Sequence, residues 1–299
     1  MNHPITPKTA LLLTLPPLLW AGNAVVGRLM VGAVAPLTLN FLRWLLAALI
    51  LLPLGWRVLR PGSPLWSRWR RFILLGLLGV GSYNSLQYLA LQTSTPINVT
   101  LIAASMPVWM LAAGALFWRE RARPMQLLGA VLSLLGVVLV ISRGSWATLQ
   151  QVQLVPGDLY MLLAVALWAL YSWMLAKPSD NSAREWHWAE FLLAQIAFGV
   201  VWAAGFAAGE ARVRDIAVPW SLPVLAGLLY VAVLASLVAY RCWGMGVAAV
   251  GPSIAAFFSN LTPVFAALLS AALLGEAPQW FHGAAFALIV AGIVVSSRR

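Results

Sequence analysis

The sequence predicts an all-α integral membrane protein, with ten transmembrane helices arranged as two inverted five-helix repeats that form a basket around a central cavity. Hydrophobic residues make up 62% of the chain and charged residues 9%, against roughly 45–50% and about 25% in soluble domains. The apolar residues occur in runs of about 20, the length that spans a bilayer. An internal repeat with a constant offset of 156 residues is the third observation. Its markers are Pro96, Pro107, Glu120 and Gly136 in the first copy, and Pro252, Pro263, Glu276 and Gly292 in the second.

The first five spans are predicted from apolar runs and from the basic or turn residues that separate them. They cover about Ala10–Met30, Thr38–Trp56, Phe72–Gln92, Ile97–Trp118 and Met125–Ser142. The first run is interrupted by Pro16 and Asn23 and has no evident small-residue cleavage site, which favours a span over a cleaved signal peptide. Between spans two and three, Trp66 and Trp69 among several arginines predict a short interfacial helix.

The second five spans follow a polar link. They cover about Gly157–Ala176, Trp188–Ala208, Trp220–Cys242, Val250–Leu274 and Trp280–Ser297. We therefore assign the first repeat to residues 8–143, the link to residues 144–156 and the second repeat to residues 157–299. Because each repeat has an odd number of spans, the second must enter the membrane from the opposite side, which makes the repeat inverted.

The distribution of basic residues predicts the orientation in the membrane. With both termini in the cytoplasm, thirteen of the 19 Lys and Arg residues lie on the cytoplasmic side. They are Lys8, Arg57, Arg60, Arg68, Arg70, Arg71, Arg119, Arg121, Arg123, Lys177, Arg184, Arg298 and Arg299. An excess of Lys and Arg on the cytoplasmic side is the rule for membrane proteins. We expect a multi-pass protein of the inner, cytoplasmic membrane.

Several function classes are disfavoured by composition. The net charge is +11, but the basic residues form short clusters between apolar runs rather than a stripe, which argues against nucleic-acid binding. Cys242 is the single cysteine, so neither an intramolecular disulfide nor a cysteine metal cluster is expected. No HExxH or GxSxG sequence occurs. We predict no catalytic residue, metal or cofactor.

Polar and aromatic residues inside the spans form the candidate ligand-binding set. Four of them share one helical face of the third span: Tyr83, Asn84, Gln87 and Tyr88. The others are Trp20 and Asn23 in the first span, Trp168 and Tyr171 in the sixth, and Tyr240 in the eighth. Interhelical hydrogen bonding is the alternative for any single residue. Polar faces on four separate helices favour a cavity.

Two prolines in register, Pro107 and Pro263, lie about ten residues into their apolar runs and hence near mid-depth. Proline lacks an N–H and displaces the carbonyl four residues earlier, and such free groups are tolerated where they line protein or water. We interpret the two prolines as kink or gate positions. A packed kink is the alternative. The neighbouring polar residues Asn98, Ser259, Asn260 and Thr262 are added to the ligand-binding set.

These features resemble the EamA-type branch of the drug/metabolite transporter superfamily over nearly the whole chain. The resemblance rests on the proline of span four or nine, the closing Glu120 or Glu276, and the following glycine. Residues Gly275-Glu276-Ala277-Pro278 match the usual form, whereas Arg119 replaces the glycine in the first copy. The resemblance implies a ten-helix basket, with helices three, four, eight and nine lining a cavity, that exports amino acids or other small metabolites. The spans rich in tryptophan and tyrosine further resemble YddG-type aromatic amino-acid exporters.

The charged residues bear on the expected mechanism. Arg28 and Arg43 lie near the outer ends of their spans, where snorkelling is favoured over attraction of an anionic group, and Arg241 receives the same interpretation. None of the eight acidic residues is placed at mid-depth, where a proton-coupled exporter of cations is expected to carry one.

We therefore expect a downhill carrier by alternating access, in which uncharged polar groups bind both ends of a zwitterion. A multidrug or cationic-toxin exporter of the same fold is the alternative. The expected partners are a small-molecule substrate and the lipid bilayer, and the sequence is compatible with a monomer.

Overall fold

The computed structural model describes residues 5–94, 96–151, 153–176, 186–214, 216–274 and 279–298. Within these residues, ten helices are long and apolar enough to cross a membrane, as the sequence predicts. All regular elements in the same residues are helical. The predicted markers at Gly275 to Pro278, including Glu276, lie outside the described part of the chain.

The first five spanning helices are α1 (Pro7–Leu29), α2 (Pro36–Gly55), α3 (Trp69–Thr93), α4 in two parts, α4a (Pro96–Ala103) and α4b (Met106–Trp118), and α5 (Pro124–Ile141). The second five are α6 (Pro156–Ala176), α7 (Trp188–Glu210), α8 (Leu222–Val250), α9 in two parts, α9a (Pro252–Ser259) and α9b (Thr262–Leu274), and α10 (Trp280–Ser297). Short helices at Trp56–Leu59, Pro64–Ser67 and Trp146–Gln150 lie in the connections. The side of the molecule that carries the arginine-rich connections after α2 and α4 is termed the basic side.

Helix α8 corrects one predicted boundary. The sequence analysis ended this span at Cys242, whereas the helix continues to Val250 and stops at Gly251, which has a positive φ of 84°. The glycines just after Cys242 do not break the helix. One of them, Gly246, lies where α8 packs against α1. A Cβ at Gly246 would lie 2.2 Å from a methyl group of Leu13 in α1. Close approach of the two helices therefore requires glycine at this position.

Helices α4 and α9 are interrupted at matching places. The interruption in α4 falls at Ala104 and Ser105, and the interruption in α9 falls at Asn260 and Leu261. Each position in α9 is its counterpart in α4 plus 156. Pro107 and Pro263 occupy the first turn of the following half-helix, where a missing N–H costs nothing. Both halves of the molecule thus carry a broken helix at mid-depth.

Helices α3 and α8 share a second irregularity, a π-helical segment. It covers Gly76–Ser82 in α3 and Val233–Val238 in α8, and π-bulges are frequent at functional sites. A carbonyl at the same place in both segments accepts a hydrogen bond from a distant side chain. Tyr240 donates to the carbonyl of Gly79, and the indole N–H of Trp20 donates to the carbonyl of Ala235 at 3.2 Å. Gly79 and Ala235 are also 156 positions apart.

Helices α5 and α10 pack against each other through reciprocal glycine contacts. A Cβ at Gly129 would lie 2.7 Å from the carbonyl oxygen of Gly292, and one at Gly136 would lie 2.8 Å from that of Ala285. Gly292 is the repeat counterpart of Gly136, and Ala285 is the counterpart of Gly129. The same contact is therefore made twice with the roles exchanged, as an approximate two-fold axis between the helices requires.

Two carboxylates tie helix ends together on the side opposite the basic side. Glu210, at the end of α7, accepts hydrogen bonds from the N–H groups of Leu37 and Thr38 at 3.2 and 2.8 Å and from the Thr38 hydroxyl at 3.0 Å. It is buried and caps α2, rather than lying in a loop. Asp158 accepts from the hydroxyl of Ser94 at the end of α3 and from the N–H of Val155, just before α6, at 2.8 Å. Each carboxylate thus satisfies an N–H at the start of a helix, where negative charge is stabilised.

Candidate functional site

A cavity of about 80 Å³ lies at the level of the breaks in α4 and α9. Its walls come from α1, α3, α4, α6 and α9. The lining residues are Trp20, Asn23, Ala24, Tyr83, Asn84, Gln87, Val99, Ala103, Ala104, Met106, Trp168, Ser259, Asn260, Thr262 and Pro263. Small-molecule sites are usually about 300–1,000 Å³, so the structure holds this site in a narrow form.

Nine of the thirteen predicted ligand-binding residues lie in the cavity wall, and three others that the structure describes do not. Tyr88 is 3% exposed and lies behind the wall, where its hydroxyl bonds to Asn23 Oδ1 at 2.9 Å. Tyr171 and Tyr240 line a different cavity, described below. The side chain of Asn98 lies outside the described part of the chain.

Arg43 is the residue that the sequence analysis misplaced. Its side chain was expected to snorkel to the interface, but it is 0% exposed and lies behind the cavity wall. Nη1 donates to Asn23 Oδ1 at 3.1 Å, Asn84 Oδ1 at 2.8 Å and the Tyr88 hydroxyl at 3.1 Å. The expectation failed because acceptors from three other helices converge on α2 at this depth.

The π-helical segment of α8 supplies the remaining partners of Arg43. Nε donates to Ser236 Oγ at 2.5 Å, and Nη2 donates to the carbonyl of Ala235 at 2.9 Å. The wider turns of a π-helix leave carbonyls available to other donors. This segment therefore contributes to the binding of the guanidinium group. It offers the carbonyl of Ala235, which a regular α-helix would use internally, and the hydroxyl of Ser236.

The hydrogen bonds to Arg43 determine which way two cavity amides point. A guanidinium group only donates, so the atoms of Asn23 and Asn84 that face it must be the oxygens. Their amide nitrogens are directed elsewhere. Asn84 Nδ2 lies 3.4 Å from the Tyr240 hydroxyl, and Asn23 Nδ2 makes no hydrogen bond to any described residue. Asn23 Nδ2 is consequently the one of these two nitrogens that is left unengaged by the described residues, and it lies next to a buried positive charge.

The break in α9 gives the cavity a wall of different character. Asn260 Nδ2 donates to Ser133 Oγ in α5 at 2.8 Å. Asn260 Oδ1 and Ser259 Oγ are buried and have no hydrogen-bond partner among the described residues. A buried polar atom without a partner costs free energy, and a bound ligand or water would remove this cost. The two oxygens are therefore candidate acceptors for a ligand donor.

Five aromatic side chains form a layer between the cavity and the basic side; they are Trp20, Trp168, Tyr171, Tyr240 and Trp243. Trp168 is at the centre of this aromatic layer, with ring centroids 5.4 Å from Trp20, 4.9 Å from Tyr171 and 5.3 Å from Tyr240. Beyond it lies a second cavity of about 240 Å³ between α6, α7 and α8. Tyr171 and Tyr240 face that second cavity, which explains why they are absent from the first.

The other charged residues of the spans lie away from the cavity. Arg28 is exposed at the end of α1. Arg241 is also exposed and places its guanidinium carbon 4.0 Å from the ring centroid of Trp188, a cation–π contact. No carboxylate among the described residues lines the cavity.

The paired broken helices, the paired π-helical segments and the mid-depth cavity form an arrangement found in membrane carriers. The sequence matches the EamA-like transporter family over residues 7–142 and again over residues 155–298. The chain belongs to the EamA-like transporter family. It is a membrane transporter and not an enzyme, as the sequence analysis predicted.

Curated relatives match over almost their full length at low identity. An "Uncharacterized transporter" of Archaeoglobus fulgidus is 28% identical over 98% of both chains. The "Aromatic amino acid exporter YddG" of Ancylobacter novellus is 26% identical over 94% of this chain and 93% of its own. A "Probable amino-acid metabolite efflux pump" of Salmonella typhimurium is 26% identical over 97% and 94%.

A solved crystal structure also has this fold. It superposes on 97% of this EamA-family chain and 98% of its own with a TM-score of 0.73, at 23% sequence identity. At this identity the likeness concerns the fold alone.

Sequence reasoning did not assign Arg43 to the candidate site, although a signal was present. An arginine inside a transmembrane span is costly, and it is a functional-site hypothesis by default. Arg43 is the eighth residue of α2, so about 10 Å of helix separates it from the end at 1.5 Å per residue. That distance is short enough to suggest snorkelling. Only the positions of Asn23, Asn84 and Ser236 show that the side chain turns inward.

Proposed function

We propose that this EamA-family protein is a secondary carrier that exports small amino acids or related metabolites, including neutral and aromatic amino acids. The observation that carries the proposal is the cavity between the breaks of α4 and α9, which combines aromatic rings, amide donors and unpartnered acceptors. A zwitterion needs donors for its carboxylate and acceptors for its ammonium group. The cavity offers both at mid-depth.

The aromatic residues support substrates with neutral or aromatic side chains. Trp20, Tyr83 and Trp168 line the cavity, and ring stacking adds about 0.5–1.5 kcal/mol per pair beyond the burial of area. Two relatives point the same way, since their names describe an aromatic amino-acid exporter and an amino-acid metabolite efflux pump.

Alternating access would come from rocking of the two halves about the cavity, with the broken helices absorbing the bend. The breaks at Ala104–Ser105 and at Asn260–Leu261 give each half one such point. In the structure the aromatic layer separates the cavity from the basic side. We assign the basic side to the cytoplasmic face of the inner membrane. Opening toward that side requires Trp168 to leave its neighbours Tyr171 and Tyr240.

We further propose that transport is downhill and uncoupled from protons. Proton-driven carriers use membrane carboxylates or histidines that exchange a proton for substrate. The cavity wall contains amides, hydroxyls and aromatic rings. The buried charge nearest to it belongs to Arg43, and a guanidinium group does not release its proton in proteins.

The same charge weakens the competing hypothesis of a cationic-toxin exporter. A cation in the cavity would be repelled by Arg43, whose bonds to Asn23 and Asn84 place it directly behind the wall. Like charges in a site of low dielectric disfavour binding.

Counterflow in liposomes tests the proposed function. Proteoliposomes are loaded with one unlabelled amino acid at a time, and uptake of labelled phenylalanine is followed with and without a pH gradient. We expect exchange with several neutral or aromatic amino acids and no effect of the pH gradient. Exchange that requires the gradient would refute downhill transport. Gradient-driven movement of an organic cation, with no amino-acid exchange, would refute the substrate class.

A further inference from the structure

We infer that Arg43 makes this cavity selective for ligands that carry a carboxylate, by holding a positive charge behind the wall and fixing the Asn23 amide so that its nitrogen is free for the ligand. The inference rests on the proposed function and deepens it. Arg43 does not line the cavity, so it acts as a positioning residue through Asn23 and Asn84.

Among the described residues, the groups that contact Arg43 are all uncharged. The guanidinium group is permanently protonated, and its five hydrogen bonds all go to neutral oxygens. No carboxylate of the described residues contacts it. A buried charge is costly unless it is paired. The missing counter-charge is therefore most simply supplied by a ligand.

The group that can reach a ligand is the amide of Asn23, because Arg43 itself is 0% exposed and does not line the cavity. On the cavity side, Asn23 Nδ2 is unengaged by described residues, and Gln87 lines the wall beside Asn84. Because Arg43 polarises the two asparagine amides, their N–H groups become better donors to an anion.

The wall formed by the break in α9 defines the orientation of the ligand. Ser259 Oγ and Asn260 Oδ1 are unpartnered acceptors at the break in α9, suited to an ammonium group. An amino acid would therefore bind with its carboxylate toward α1 and α3 and its ammonium group toward α9. The two charged groups contribute unequally, because only the carboxylate faces a full opposite charge.

A matched set of ligands separates the two ends of the zwitterion. Phenylalanine carries both groups, 3-phenylpropionate lacks the ammonium group, and phenethylamine lacks the carboxylate. Binding is measured on the full-length protein in detergent as a ligand-induced rise in unfolding temperature, and again as competition for exchange in liposomes. We expect phenylalanine and 3-phenylpropionate to bind and phenethylamine to bind at least about tenfold more weakly.

Three variants test the role of Arg43. Asn23→Asp keeps the size and the acceptor but places a carboxylate on Arg43. We expect it to fold and to lose about tenfold or more in affinity for both carboxylate ligands. Arg43→Lys keeps the charge and should retain the preference for carboxylates, whereas Arg43→Gln should lose that preference. Arg241→Gln is the matched control, because it removes an arginine outside the cavity and should preserve the preference.

The outcomes distinguish this inference from the proposed function. If phenethylamine binds as well as phenylalanine, or if Asn23→Asp weakens all three ligands equally, the selectivity assigned to Arg43 is wrong and the amino-acid carrier stands. If phenylalanine is neither bound nor exchanged while 3-phenylpropionate binds, the substrate proposal fails and the role of Arg43 stands. Failure of both carboxylate ligands to bind the wild-type protein overturns both.

Discussion

Helices α2 and α7 occupy corresponding positions in the two halves of the molecule and make one contact in two different ways. In α2, Arg43 donates to Ser236 in the π-helical segment of α8 at 2.5 Å. Adding 156 to Arg43 and subtracting 156 from Ser236 gives Gly199 in α7 and Val80 in the π-helical segment of α3. There a Cβ at Gly199 would lie only 2.3 Å from the Val80 Cβ. The same crossing is filled by a hydrogen bond from a charged side chain to a serine in one half, and by close packing against a glycine in the other.

In a second pair of equivalent contacts, the residue that donates the hydrogen bond comes from the second repeat instead of the first. Asn260, at the break in α9, bonds to Ser133 in α5, whereas the corresponding positions in the other half are Ala104 and Ile289. Of each two contacts related by the repeat, one is polar and the other is not. The backbone features recur in both halves, namely the broken helices and the π-helical segments. The recurring backbone supports movement, and the divergent side chains make the cavity chemically asymmetric, as an asymmetric ligand requires.

The largest expected effect follows from filling the glycine contact. Gly199→Ala should destabilise the protein by about 3 kcal/mol or more, because the new methyl group would collide with Val80 and overpacking of this kind strains the backbone. Thermal unfolding in detergent measures the loss. Val80→Gly in the same chain should restore part of the stability, since it removes the colliding atom. An unchanged unfolding temperature for Gly199→Ala would show that α7 and α3 are not closely packed.

Removing the contact between Arg43 and Ser236 should lower stability less than Gly199→Ala does, but it should also change ligand affinity. Ser236→Ala removes the acceptor of Arg43 Nε, and losing a hydrogen bond to a buried charge costs about 1.5–3 kcal/mol. Affinity for carboxylate ligands should change as well, because the guanidinium group is free to shift. Val80→Ala at the corresponding position is the control, and it should lower stability without altering the preference among ligands. Equal effects of both variants on that preference would contradict the asymmetry.

The smallest expected effect concerns the break in α9. Ser133→Ala removes the partner of Asn260 Nδ2, and a buried neutral hydrogen bond contributes about 1 kcal/mol. The unfolding temperature should fall by a few degrees in the absence of ligand. Bound phenylalanine should stabilise the variant and the wild-type protein to similar extents, because Asn260 Oδ1 is unchanged. A complete loss of ligand stabilisation would mean that Ser133 has a direct part in the site.

Much of the fold was predictable because lipid imposes simple rules on sequence. Each span must be about 20 residues long and apolar, so the number of helices could be counted, and the recurrence of proline and glycine at 156 residues indicated two related halves. Local propensity was less reliable. The sequence analysis ended the eighth span at Cys242, whereas α8 continues to Val250, and Gly246 in this extension packs against Leu13 of α1.

The sequence by itself thus determined the ten spans, the matching breaks near Pro107 and Pro263 and most of the residues that line the cavity, because each depends on periodicity or on the chemistry of one segment. Only the tertiary structure decided the role of Arg43. Its partners come from α1, α3 and α8, and Ser236 is 193 positions away in the chain. Whether an arginine extends to the interface or remains buried depends on whether enough acceptors meet it. That convergence exists only once the helices have packed.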